Sequence, residues 1–145
     1  MVSIRVGVFE TNSSSAHGLI LAEQSDFNLF KKNKFVLYMP NLVHAKLMSF
    51  EDAYHLALDN IRKHKVEPLK GFWSSELKNC FGTDDLSKIS LEMFTDKVLN
   101  DPNYWAVWNF YSFKRWQHGS YESESTYKLN PDTGFVELDT YYFDG

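Results

Sequence analysis

The chain sets a carboxylate and an imidazole seven residues apart, Glu10 and His17. Hydroxyls at Thr11, Ser13, Ser14 and Ser15 and an amide at Asn12 lie between them. These are the side-chain types of acid–base and nucleophilic catalysis. Glu10 and His17 can exchange a proton with a bound group, and a serine can donate to that group or attack it. Two supports for such chemistry are missing: a Gly-x-Ser-x-Gly elbow, and an acidic residue placed to orient His17. The glycines and the Gly-Lys-Ser/Thr ending of a phosphate-cradling P-loop are absent as well. The same residues also suit a turn or a helix N-cap, because Thr, Asn and Ser bond readily to nearby backbone N–H groups. Six consecutive polar side chains cannot be buried unless each finds a partner. The string is therefore a solvated loop, a self-bonded turn or a site that grips something polar. Arg5 stands on the same side of an extended strand as Gly7 and Phe9, where it can hold the loop through Glu10 or a loop carbonyl.

A second concentration of functional side-chain types runs from Tyr104 to Trp116, where seven of thirteen residues are aromatic. Aromatic residues supply much of a small domain's burial. They also form protein-binding hot spots, in which Trp, Tyr and Arg are enriched. Trp105, Trp108, Tyr111 and Trp116 are the candidates for such a role. A third candidate surface is acidic. From Gln117 to Gly145 there are six acids and one base, whereas the chain as a whole carries a net charge of −4. Glu122, Glu124, Glu137 and Asp139 make that C-terminal face a match for a basic surface on a protein partner. No large basic field favours direct binding to nucleic acid.

The segment Arg5 to Leu19 resembles an N-terminal signature of small bacteriophage and prophage proteins, a group without an assigned activity. Arg5, Gly7, the run Val8 to Ser15, His17 and Leu19 carry the resemblance, which covers about a tenth of the chain. It implies a phage-type protein in which the polar string does more than turn the chain. A looser similarity joins Arg5, Ser13-Ser14-Ser15 and Glu122-Ser123-Glu124 to the Arg, Ser-Thr-Ser and Glu-x-Glu elements of ADP-ribosyltransferases. That family places its arginine and serine elements on distant strands, whereas here they are eight residues apart.

The elements that must position these residues alternate between sheet and helix. Ile4–Phe9 and Gly18–Ala22 read as strands flanking the polar loop, and Phe35–Met39 as a third, stopped by Pro40. Ser49 caps a helix from Phe50 to about Lys65, with Ala53, Leu56, Ala57 and Ile61 on one face. Gly71–Gly82 reads as irregular, anchored by Phe72, Trp73 and Phe81. Thr83-Asp84-Asp85 opens a second helix that ends before Pro102, and Asp101-Pro102 could start a short one. The aromatic segment from Trp108 onward reads as a strand. Asn130-Pro131-Asp132-Thr133-Gly134 joins two strands in a hairpin. In it, Leu129 and Val136 or Leu138 should face the core, with Glu137 and Asp139 opposite.

A length of 145 residues with 43% hydrophobic content fits one domain, residues 1–145, with a core of its own. No secretory signal and no membrane-length apolar run stand out, so the expected compartment is the cytoplasm, that of the host cell if the protein is phage-encoded. Cys80 is the lone cysteine and reads as a structural thiol. The histidines and acids show no metal-ligand spacing, and no cofactor is implied. The expected fold is α+β: a mainly antiparallel sheet from the N- and C-terminal segments, packed by two central helices. The expected function is a phage-type accessory protein that binds and modulates a host or phage protein, with countering host defence as one such role. The rival is a small transferase or hydrolase acting on a nucleotide or phosphorylated compound at the Glu10–His17 loop.

Overall fold

A computed structural model of the chain describes residues 3–10, 16–41, 44–64, 70–119 and 123–142. For 3–10, 16, 17, 64, 70 and 142 only the backbone is considered. The fold is α+β. By its internal contacts the chain forms two compact units, Met1–Met48 with Tyr111–Gly145, and Ser49–Phe110.

In the first unit, β1 (Ser3–Glu10), β2 (Ala16–Ala22), β6 (Ser123–Leu129) and β7 (Val136–Tyr142) form an antiparallel sheet of order β1-β2-β7-β6. Both ends of the chain thus share one sheet, as the sequence leads one to expect. The register changes between Arg5, opposite Ile20, and Gly7, opposite Leu19. Between these two the ladder is irregular. In β7 the burial alternates: Val136, Leu138 and Thr140 are buried, while Glu137 and Asp139 are half-buried on the other face.

The helices that close this core are α1 (Gln24–Lys31) and α5 (Phe113–His118), two short elements not foreseen from the sequence. Phe27, Phe30, Phe113, Trp116 and Tyr127 bring five rings from α1, α5 and β6 into contact. Phe30 and Phe113 meet edge to face at 5.4 Å and 87°, a favoured aromatic geometry. Trp116 is 2% exposed and its Nε1–H donates to Thr140 Oγ1 at 2.8 Å, so the one polar atom of the indole is satisfied inside the core. The short strands β3 (Phe35–Tyr38), β4 (Lys46–Ser49) and β5 (Phe110–Tyr111) make a second sheet of order β4-β3-β5.

The aromatic segment departs from the strand expected for it. The chain turns through 104–109, β5 lasts two residues, and Ser112 then caps α5 by accepting from the Arg115 N–H at 3.1 Å. A serine cap and the Gly119 stop outweigh the β preference of the aromatic side chains. Gly119 has φ +66°, and a Cβ there would lie 2.9 Å from the Ser123 carbonyl oxygen. Only glycine lets the chain pass from α5 into β6 this closely.

The hairpin between β6 and β7 forms as expected. Asn130 N–H donates to the Phe135 carbonyl at 2.9 Å, and Gly134 N–H to the Asn130 carbonyl at 2.8 Å. Leu129 corrects the expectation, being 51% exposed while Val136 and Leu138 are buried. Leu129 is the last residue of β6, an outer strand of the sheet, at the hairpin end.

The second unit holds the two central helices anticipated from the sequence. The first, α2 (Phe50–His64), begins where Ser49 Oγ accepts from the Asp52 N–H at 3.1 Å. Its apolar stripe is borne out, with Ala53, Ala57 and Ile61 buried and Leu56 partly so. Gly71–Gly82 is a helix rather than an irregular segment. This is α3 (Lys70–Phe81), with Trp73, Leu77 and Cys80 at i, i+4 and i+7 packed into the unit's core. The acidic run at 83–85 opens only a single 3-10 turn, Leu86–Lys88. α4 (Leu91–Asn100) starts afresh at Ser90, whose hydroxyl accepts from the Met93 N–H at 3.2 Å. Pro102 starts no helix. Residues 31–34 close α1 with Asn33 at φ 61°, and Arg62 pairs with Asp59 near the end of α2.

Candidate protein-binding surface

Of the residues singled out in the polar string, the structure describes the backbone of Arg5, Glu10 and His17. Glu10 lies opposite Ala16, and His17 stands between Phe9 and Tyr141 in adjoining strands. Asn12, Ser13, Ser14 and Ser15 lie outside the described residues, as does Glu122, so the catalytic reading of this loop gains no geometry.

The four aromatic candidates separate. Trp116 is a core residue, tied to Thr140, and has no surface to offer a partner. Tyr111 is half-buried with the Arg115 guanidinium stacked over its ring at 4.0 Å. Trp105 and Trp108 are 66% and 51% exposed, unusual for the largest apolar side chain. The sequence reading did not select Phe72, which is 46% exposed and meets Trp105 edge to face at 5.7 Å and 86°. The signal for it was the doublet Phe72-Trp73. Adjacent helix residues point about 100° apart, so with Trp73 on the core stripe of Leu77 and Cys80 its neighbour must leave that stripe.

Local structure holds this pair in place. Phe72 and Glu76 are one turn apart on α3 and so share a face. Glu76 Oε1 accepts from the Trp105 backbone N–H at 3.3 Å, while the Trp105 ring packs on Phe72. The loop is further tied by the Val107 N–H to the Tyr104 carbonyl at 3.0 Å. The Lys97 ammonium lies 5.1 Å from the centre of the Tyr104 ring and 3.6 Å from Asp101 Oδ2. Phe72 also meets Trp73 edge to face at 5.7 Å. The result is a pre-positioned aromatic surface with polar tethers.

The acidic C-terminal face is partly neutralised. Glu137 accepts from Asn130 Nδ2 at 3.0 Å and lies 3.7 Å from Lys128 Nζ, its side chain 19% exposed. Asp139 is half-buried, and Glu124 is exposed. Cys80 is buried, and burial pushes its thiol up to about 12, so it stays protonated and unreactive at neutral pH. Among the described residues no group of three His, Cys, Asp or Glu is placed to hold a metal ion. No described helix is long and apolar enough to cross a membrane. Comparison of the chain with protein-family models, curated proteins and solved structures found no match.

Proposed function

We propose that this chain is a non-catalytic accessory protein of the phage type, which binds a host or phage protein through Phe72 and Trp105, with Trp108 three residues after Trp105, and modulates its activity. The edge-to-face pair of Phe72 and Trp105 carries this reading: two large rings, both well exposed, fixed against each other rather than buried. Aromatic residues held in their bound arrangement lose little entropy on docking, the property that makes them energetic anchors of interfaces. The aromatic pair supports the reading better than the acidic face, where Glu137 is already bonded within the chain.

The test is affinity isolation from expressing cells, comparing the unaltered chain with Trp105→Ala. The expected result is one stoichiometric protein that is lost with Trp105→Ala while the melting temperature is retained. Equal capture by both forms would overturn the role of the aromatic pair. A co-purifying nucleotide without a protein partner would shift the reading to the rival enzyme.

A further inference from the structure

The Trp105 indole has a face that the chain leaves open. In an edge-to-face pair one ring sets its edge against the other's face. Phe72, at 86°, is the one ring that Trp105 meets among the described residues. Whichever of the two supplies the edge, at least one face of the indole has no ring against it, and with Trp105 66% exposed, solvent reaches it. Aromatic faces carry the negative part of the ring quadrupole, and indole attracts cations best. Elsewhere the chain covers ring faces with its own cations. Arg115 lies 4.0 Å from the centre of the Tyr111 ring, and Lys97 lies 5.1 Å from that of Tyr104. Among the described residues no cation lies over Trp105 or Phe72.

The charges near this face leave one carboxylate over. Lys97 lies 3.6 Å from Asp101, and Lys78 lies 3.9 Å from Asp84. Glu76 has no cation within ion-pair reach among the described residues. Its Oε1 accepts the Trp105 backbone N–H at 3.3 Å. An ionised carboxylate offers about four acceptor sites, so Oε2 keeps its capacity and the group keeps its charge. The tether thus sets an unneutralised negative charge beside an exposed indole.

We propose that the open face of Trp105, with Glu76 beside it, binds an arginine side chain of the partner protein; this rests on the aromatic surface being where that partner docks. The charge left on Glu76 selects a cation over an acidic or neutral group. The ring selects arginine among cations. A guanidinium is planar and weakly hydrated, so it can stack on the indole while one of its N–H groups donates to Glu76 Oε2. A lysine ammonium is more strongly hydrated and has no plane to stack. The Phe72 ring and the Glu76 tether already hold Trp105 in place, so little side-chain freedom is lost when the guanidinium arrives.

Nuclear magnetic resonance of the full chain, titrated with a capped Gly-Arg-Gly peptide at constant ionic strength, tests this. Two matched peptides replace the arginine by citrulline, which keeps the planar shape without the charge, or by lysine. The Trp105 indole N–H signal should shift saturably with the arginine peptide, in the millimolar range expected of a single side chain. The citrulline peptide should bind about two- to fivefold more weakly, the worth of one exposed cation–π contact. The lysine peptide should also bind more weakly. Trp105→Leu keeps an apolar side chain and removes the π face, and circular dichroism confirms that it folds. In this variant the preference for arginine, read from the Glu76 backbone amide, should vanish. An arginine peptide that binds no tighter than either counterpart, or that keeps its preference in Trp105→Leu, would overturn the proposal. No partner protein takes part in the titration, so its outcome is separate from the affinity isolation. Capture lost with Trp105→Ala, together with no preference for arginine, would remove the arginine and keep the aromatic docking surface.

Discussion

The Trp116 indole N–H is bonded to the Thr140 hydroxyl at 2.8 Å, in the interior of the first unit. This bond ties α5 to β7 across 24 residues of sequence. Thr140→Val keeps the shape and removes the acceptor, leaving a buried donor without a partner. Such a loss costs about 1–3 kcal/mol. Thr140→Ser retains the hydroxyl and should recover most of that loss. Urea unfolding of the two variants measures the difference, and equal stability would show that the bond contributes little.

Cys80 gives a pH signature. Its thiol is pushed from 9.0 up to about 12 in the folded chain, chiefly by burial. Above pH 9 the unfolded chain releases this proton while the folded chain keeps it. The contribution is fully present below pH 9 and declines as pH rises towards 12. Cys80→Ala should lessen the alkaline fall in stability, measured as urea midpoints in both forms at pH 8 and about pH 10. In the native chain, thiol reagents should react only as fast as the second unit opens. Rapid labelling without denaturant would contradict the burial.

Gly119 is the tight passage between α5 and β6. Gly119→Ala forces a Cβ to within 2.9 Å of the Ser123 carbonyl oxygen at φ +66°. The expected loss is about 1–3 kcal/mol, typical of strain at a left-handed position. Gly134→Ala, also at positive φ but with open space around it, should cost less. Thermal unfolding of the pair separates the cost of φ alone from the added steric cost.

The parts of this fold that were legible in the sequence are those whose signals are local. Ser49 with an apolar stripe marks α2, and Pro131 to Gly134 mark the hairpin. α1 was not legible because a helix of eight residues offers only Phe27 and Phe30 as anchors and its N-cap makes no side-chain bond. α3 was obscured by Gly71 and by the neighbouring Phe72 and Trp73, which blur its stripe. The functional surface was half legible. Composition pointed to Trp105 and Trp108, but the sorting of exposed Trp105 from buried Trp116 depends on Thr140, far away in sequence. Phe72 entered only because α3 brings Glu76 to the Trp105 backbone.

That last contact can be tested for what it does. Glu76 either holds the Trp105 loop in place or meets the partner as a charge, and two substitutions tell these apart. Glu76→Gln keeps a side-chain carbonyl that can accept from the Trp105 N–H, but it removes the charge. Glu76→Ala removes both. If the contact is a tether, Glu76→Gln binds the partner as the unaltered chain does. Glu76→Ala then weakens binding by about two- to tenfold, because Trp105 must be ordered on docking, at a cost of about 0.5–1.5 kcal/mol for such a side chain. Stability should fall by less than about 1.5 kcal/mol in either variant, the usual worth of one hydrogen bond. Calorimetric affinities of the three forms for the isolated partner decide the matter. Equal weakening by both substitutions would assign Glu76 to the interface as a charge and leave Trp105 positioned by the Phe72 ring and the turn at Tyr104–Val107.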